Sequence, residues 1–404
     1  MKPLQITSYT LTTALGAGLN ANLRHLRQSH SGLRPCRFFD AQLNTWAGEV
    51  EALADEHLAK PWESFDCRNN RLSQLGLRQD DFMRRVREAA ARHGAGRIGV
   101  FIGTSTSGIH ETERAYLQWL SGRDGKTVGE AQMALPDWYR YETTHNTYAV
   151  AEFVRARLGL EGVATAISTA CSSSAKVFAS AARAIESGFC DAAVVGGTDT
   201  LCLTTLYGFN ALQLISEDIC RPSDPARSGL SIGEATGFAL LEKPNGDSQL
   251  GLLGYGESSD AHHMSSPHPQ GEGARLAMQG ALRSAGCEAS AIDYVHLHGT
   301  ATPANDLSEA KAVEALFGDR LPCSSTKGWT GHTLGAAGIV GAAFSLLCLQ
   351  HSFLPRSLNT REVDPQIKTH VLLENRQPYS LRTVMSNAFG FGGNNCSLVL
   401  GGLP

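Results

Sequence analysis

Little in this sequence points to a disordered, exported or membrane-bound protein. Only 18% of its 404 residues are charged while 42% are hydrophobic, which excludes a disordered chain and supplies apolar material for one large domain or two fused ones. A net charge of -4 excludes a generally basic nucleic-acid binder and leaves only a local basic patch to recruit an acidic partner. The 10 cysteines form no CxxC pair and no paired Cys/His spacing, so neither a disulfide framework nor a metal site is indicated. Near the N-terminus, Gln5, Ser8 and repeated threonines interrupt any signal-peptide core, and no apolar run reaches membrane-spanning length. The expectation is a soluble cytoplasmic protein with no metal, no nucleic acid and no membrane contact.

What is present is an alternation. Short β-type runs such as RIGVFIGTS, VATAISTA, DAAVVGGTD, YVHLHGT, HVLLEN and TVMSNAFGFGG are separated by helical patterns, which predicts a layered α/β architecture. The runs are apolar on both faces, as strands covered by helices on each side must be. No low-complexity linker divides the chain, but KPNGDSQ is a turn-rich break between the strand-like GFALLE and LGLLGYG. The boundary is set there, giving halves of residues 1–248 and 249–404. Each contains a strand, a glycine-flanked polar loop and a helix, which hints at two related units. The Arg-rich region from Arg68 to Glu88 has apolar positions at helical spacing and reads as surface helix. The aromatic stretch from Tyr116 to Tyr148 reads as an excursion lining a cleft or a dimer contact.

One stretch carries chemistry. AISTACSSS ends a strand pattern, and the following SSAKVFASAARAIESG places Val177, Ala181 and Ile185 on one helical face with Gly188 as a stop. Cys171 therefore sits at a strand-to-helix turn, where the positive end of the helix favours a thiolate. A small buried hydrophobe is an equally available reading of a lone cysteine. Two loops supply partners: YVHLHGTATPANDLSEA with His298, and CSSTKGWTGHTLGAAG with Lys327 and His332. Either histidine alone reads as structural; together with Cys171 and GFGGNN they form a constellation.

TACSSSA, HGTATPANDLSE, STKGWTGHTLGAAG and SNAFGFGGNN, in this order, resemble the signature blocks of β-ketoacyl-acyl carrier protein synthases of the Cys-His-His type. The resemblance implies the thiolase-like α/β fold, two related halves in a five-layered αβαβα arrangement. It implies decarboxylative Claisen condensation with malonyl-acyl carrier protein in fatty-acid, polyketide or polyene-type chain elongation. It further implies no cofactor beyond the phosphopantetheine of the carrier, and a homodimer or a heterodimer with a related subunit. By resemblance Cys171 is the nucleophile, the backbone amides of Cys171 and Phe391 are the oxyanion donors, and His298 and His332 bind the malonyl thioester oxygen. Lys327 and Glu309 form a supporting pair, Thr300 and Thr302 bind the pantetheine arm, and Phe389 and Phe391 gate the acyl pocket. Arg68 and Arg71, then Arg123 and Lys126, are the candidates for docking the acidic carrier.

The match has departures. TSYTLTTALG lacks the glycines that usually follow the first strand, and the loop Arg221–Gly229 lacks the aromatic ring and acid of the family pattern, which points away from routine fatty-acid elongation. Two rivals share the fold: a non-elongating chain-length subunit, disfavoured by the presence of Cys171 and both histidines, and a coenzyme A thiolase, whose second cysteine Cys396 does not match because it reads as a strand residue.

Overall fold

The computed structural model describes residues 1–121, 135–246 and 248–403. Ten strands build the frame of the site. In the first half they are β1 (Leu4–Thr13), β2 (Ile98–Gly103), β3 (Ala164–Ile167), β4 (Ala192–Asp199) and β5 (Ala235–Glu242). In the second they are β6 (Leu250–Ser259), β7 (Tyr294–His296), β8 (Pro322–Ser324), β9 (Thr383–Gly390) and β10 (Asn394–Gly402). Among the described residues all ten belong to one 12-stranded sheet, ordered β3-β2-β4-β5-β1 in the first half and β8-β7-β9-β10-β6 in the second.

Directions repeat as well as order. β2 runs parallel to β3 and β4, and β5 antiparallel to β4 and β1. Likewise β7 runs parallel to β8 and β9, and β10 antiparallel to β9 and β6. The halves are two copies of one topology. They join where β1 meets β6, with Leu4 opposite Leu252 and Gln5 opposite Gly251.

Burial follows the layers. On β4, Val194 packs with Phe82, Val150 and Phe153 of the outer helices, while its neighbour Val195 faces a central cluster holding Val177, Phe178, Ile339 and Phe344. Successive residues serve opposite faces because side chains alternate along a strand. The central layer consists of α2 (Ser173–Glu186) and α6 (Ala337–His351), one helix from each half. Beyond the second half-sheet, α4 (Glu272–Ala285) and α5 (Pro303–Phe317) cover Val295, Met385 and Val399. Helices, half-sheet, central helices, half-sheet and helices make the five layers. The stretch Leu334–His351 is apolar and long enough to cross a membrane by composition alone; here it lies in the central layer with 83% of it buried.

The Arg68 region differs from its expected place on the surface. α1 (Arg68–Leu77) is nearly all interior: Leu72 and Leu77 are fully buried. Arg68 forks onto the buried carboxylate of Glu234, with Nε to Oε2 at 3.0 Å and Nη2 to Oε1 at 2.7 Å, and reaches Glu49 at 3.1 Å. Arg71 forks onto Asp66, both contacts at 2.6 Å. A guanidinium taken from water requires such partners. Those partners lie far off in sequence for Arg68, so helical spacing alone misplaced it. HVLLEN also contracts, to the two-residue strand His370–Val371.

Candidate active site

The chemistry gathers where the connections leaving strands of both halves converge. After β3 the chain turns through Ala170, held at a left-handed φ of 52°, and presents Cys171 just before α2. The turn is laced by short side chains: Ser173 Oγ donates to the Ala170 carbonyl at 2.6 Å and accepts from the Thr169 amide at 2.9 Å. That is why serines surround the cysteine. Opposite, the β9–β10 connection approaches so closely that a Cβ on Gly390 would sit 2.6 Å from the Thr169 carbonyl oxygen.

Cys171 is 4% exposed. The expectation of a resting thiolate is corrected: burial pushes the thiol up to about 11, and the nearby Asp199 charge adds to this, while Lys327 and the amides of Phe391 and Cys171 itself oppose it. Desolvation outweighs the helix terminus because the charged form is penalised in full inside the protein. The sulfur thus rests as a neutral thiol under two backbone N–H groups.

His332 leaves the second half on the turn between a short helix, Lys327–Thr330, and α6. Its Nε2 lies 3.0 Å from Cys171 Sγ, and its Nδ1 accepts from the Leu334 amide at 3.2 Å. An amide can only donate, so Nδ1 carries the lone pair and the network assigns the hydrogen to Nε2. Burial, then Lys327, holds the imidazole well below its ordinary titration range and therefore neutral. His298 follows β7, and its ring centroid stands 5.4 Å from that of His332 at 84°. Lys327 Nζ contacts the His298 carbonyl and lies 3.5 Å from its Nδ1. An ammonium also only donates, which again assigns the hydrogen to Nε2. His298 too is held well below its ordinary range, by burial first and Lys327 second. The sulfur and one ring nitrogen of each histidine all lie within 4.8 Å of one another. Both Nδ1 atoms face donors, so the two Nε2 atoms offer hydrogens rather than lone pairs, which suits an oxyanion and not a cation.

Glu309 and Lys327 do not form the direct pair expected of them. Glu309 on α5 accepts the amides of His298 and Gly299, both at 2.8 Å, and Asn387 Nδ2 at 3.1 Å. Lys327 grips the same histidine from its carbonyl and ring. The two charges bracket His298, and among the described residues no ion pair within 4 Å joins them. Burial pushes the Glu309 carboxyl up to about 7 against these three donors, and burial lowers the Lys327 ammonium.

A cleft leads to the cysteine, lined among others by Phe209, Thr300, Thr302, Phe389 and Phe391. The Thr300 and Thr302 hydroxyls are 2.8 Å apart. Phe389 packs on His298 with centroids at 5.8 Å, and Phe391 on Phe209 at 5.5 Å. Cys396 is buried in β10 within the central apolar cluster, outside this lining. Arg68 and Arg71 stand apart, in their ion pairs; Arg123 and Lys126 lie outside the described residues. Sequence reasoning missed Asn387, although it stands in the quoted SNAFGFGGNN, and Phe209, which lies two residues after another aromatic, Tyr207, in α3 (Leu203–Ala211) and carries no local signal of its own.

Comparison with known proteins adds the following. Residues 1–245 match the family model described as beta-ketoacyl synthase, N-terminal domain, and residues 251–361 that of the C-terminal domain. The chain is 40% identical over 266 residues to a mitochondrial 3-oxoacyl-[acyl-carrier-protein] synthase of Arabidopsis thaliana, a match covering 61% of this chain and 58% of that protein. It is 33% identical over 322 residues to 3-oxoacyl-[acyl-carrier-protein] synthase 2 of Staphylococcus aureus, covering 76% and 77%. A solved ketosynthase in complex with its chain length factor from Xenorhabdus doucetiae superposes with a TM-score of 0.88 at 37% identity, covering 100% of this chain and 98% of that one. The ishigamide ketosynthase/chain length factor gives 0.89 at 26% identity, with complete coverage of both.

Proposed function

The chain belongs to the β-ketoacyl synthase family, and on that premise we propose that it is a 3-oxoacyl-acyl carrier protein synthase acting through Cys171, His298 and His332. Cys171 Sγ attacks the thioester carbonyl of an acyl group carried on phosphopantetheine. The new C–S bond forms as the carrier thiol leaves, taking the proton the cysteine gives up. The amides of Cys171 and Phe391 stabilise the carbonyl oxygen as it gains charge. A malonyl thioester then enters along the Thr300 and Thr302 hydroxyls, its carbonyl oxygen toward the two Nε2–H groups. Its carboxylate departs as carbon dioxide, and the electron pair of the broken C–C bond becomes an enolate held by His298 and His332. The enolate carbon attacks the acyl-cysteine, the oxyanion returns to the same two amides, and collapse expels the Cys171 thiolate, which water reprotonates. Lys327 and Glu309 keep His298 in register, and Phe389 and Phe391 border the acyl chain.

The observation that carries this reading is His332 Nε2 standing 3.0 Å from Cys171 Sγ, a ring nitrogen of His298 within 4.8 Å of the sulfur, and a donor at the Nδ1 of each histidine. Intact-mass analysis with an acyl-carrier primer and malonyl-carrier tests it. Acylation mapping to Cys171 and a product two carbons longer are expected; no acylation, or none at Cys171, overturns it. A coenzyme A thiolase does not fit, because Cys396 is sealed in the core. A chain-length subunit without its own chemistry does not fit a complete cysteine and histidine set.

Residues 1–248 carry the nucleophile and 249–404 the histidines. The partners are an acyl carrier protein and a second chain of this fold, identical or related. Among the described residues β3, which leads into Cys171, is the outer strand of its half-sheet with no strand beyond it, and Val163, Leu117 and Leu120 are exposed apolar residues of the same half; such an edge favours being covered. The solved relatives pair a ketosynthase with a chain length factor, and a heterodimer is the arrangement we favour. With Arg68 committed to Glu234, docking of the carrier falls to Arg123 and Lys126. The 10 free cysteines suit a reducing cytoplasm.

A further inference from the structure

Asp199 closes β4 and is completely buried, yet among the described residues no cation pairs with it. Its carboxylate is surrounded by neutral donors from two other places. From the loop after β2 come the Thr104 hydroxyl at 2.7 Å, the Ser105 amide at 2.9 Å, the Ser105 hydroxyl, and the Thr106 amide and hydroxyl, both at 3.0 Å. From the turn just after His332 comes the Gly335 amide, 2.6 Å from Oδ2. The Ser105 hydroxyl also accepts from Gly335 N–H at 3.2 Å. A Cβ on Gly335 would stand 2.7 Å from Asp199 Oδ2, so the contact leaves no slack.

This turn matters because Leu334 lies between His332 and Gly335. Its amide fixes the His332 tautomer, and it is held at a left-handed φ of 54°, unfavourable for a leucine. Something outside the turn must hold that conformation, and the Gly335–Asp199 bond is placed to do it.

We propose that Asp199 is a positioning residue for condensation: by anchoring the Gly335 amide it holds the Leu334 turn that keeps His332 Nε2–H aimed at the thioester oxygen. The inference rests on the function proposed above. It assigns the first-half loop Thr104–Thr106 and the second-half histidine turn to one buried carboxylate, so that the first half orients a reactive group of the second. Asp199 also bears on the sulfur, since after burial it is one of the influences that raise the Cys171 thiol, against Lys327, which lowers it.

The test is Asp199→Asn. Each carboxylate oxygen faces at least one backbone N–H, so an amide NH2 at either position meets a donor and the Gly335 bond is weakened or lost. Malonyl decarboxylation is expected to fall by about two orders of magnitude, the scale of a misplaced oxyanion donor, with KM little changed and self-acylation of Cys171 reduced far less. The pH midpoint of Cys171 alkylation by iodoacetamide moves lower. Thr104→Val removes a donor but no charge and leaves that midpoint in place. Ser105→Ala, a gentler loosening of the same turn, shows the same split between half-reactions to a smaller degree and serves if the asparagine variant does not fold. Equal losses in both half-reactions, decarboxylation at the native rate in folded Asp199→Asn, or a Thr104→Val midpoint displaced as far overturns the inference. If the native protein itself neither acylates nor decarboxylates, it is the proposed function that falls.

Discussion

The third strand of each half ends in a turn that leads to a helix of the central layer, and the two turns do opposite things. After β3 the path is direct: a left-handed residue, Cys171, and α2 at once. After β8 the chain inserts the short helix Lys327–Thr330 and the strained Leu334 turn before α6 begins. In the proposed function the first turn offers an atom that forms a bond; the second offers hydrogens and a charge that only hold. One topology thus supports two kinds of chemistry because the inserted turn, and not the frame, decides what is presented. The common frame makes them meet, since α2 and α6 pack against each other and carry their leading ends to one cleft.

The comparison breaks most completely at the cysteine. Cys171→Ala removes the bond-forming atom with little change of volume; condensation is expected to vanish while decarboxylation of malonyl-carrier survives, read by carbon dioxide release and by mass. Elongation by the folded variant would end the division of labour between the turns. Next come His298→Ala and His332→Ala, each expected to slow decarboxylation by about two orders of magnitude while leaving part of the acyl transfer to Cys171, as measured by single-turnover acylation. A loss of acyl transfer as large as that of decarboxylation would show that the second turn does more than hold.

Glu309 sharpens the contrast through pH. Its folded carboxyl titrates at about 7, above its ordinary 4.5, and only the ionised form accepts all three donors around His298. Decarboxylation should rise with pH through about 7, and Glu309→Gln should flatten that limb at a lower plateau. The sign for stability is the reverse. The folded chain binds this proton more tightly than the unfolded one, so this group's contribution to stability is present below the ordinary carboxyl range and declines as pH rises through about 7. The smallest effect on chemistry is expected from Arg68→Ala. It strips the buried Glu234 of its partner and should cost about 3 kcal/mol of stability in denaturant unfolding with KM for carrier substrates unchanged. A raised KM in a stable variant would return Arg68 to the docking surface.

The readable parts were local. The turn at Cys171 announces itself because serines, an alanine-rich amphipathic helix and Gly188 are contiguous, and the histidine loops carry their own glycines. What stayed hidden depends on partners distant in sequence. Arg68 looked exposed because its partner Glu234 lies 166 positions away. Asp199 looked like an ordinary strand end, since nothing near it in the chain reveals donors from Thr104–Thr106 and Gly335. The protonation of Cys171 was misjudged for the same reason: a helix terminus is visible in sequence, but the depth of burial that outweighs it is a property of the packed layers.

That depth has a bearing on durability. With burial pushing the thiol up to about 11, the resting sulfur is held as thiol at neutral pH. Peroxide and stray electrophiles consume thiolates, so the resting protein should outlast oxidative exposure that inactivates cysteine enzymes with preformed thiolates. In the proposed function, reactivity is released for a visitor that brings its own carbonyl to the amides of Cys171 and Phe391. Chemical discretion of this kind spares a cell from having to repair or replace the enzyme between turnovers.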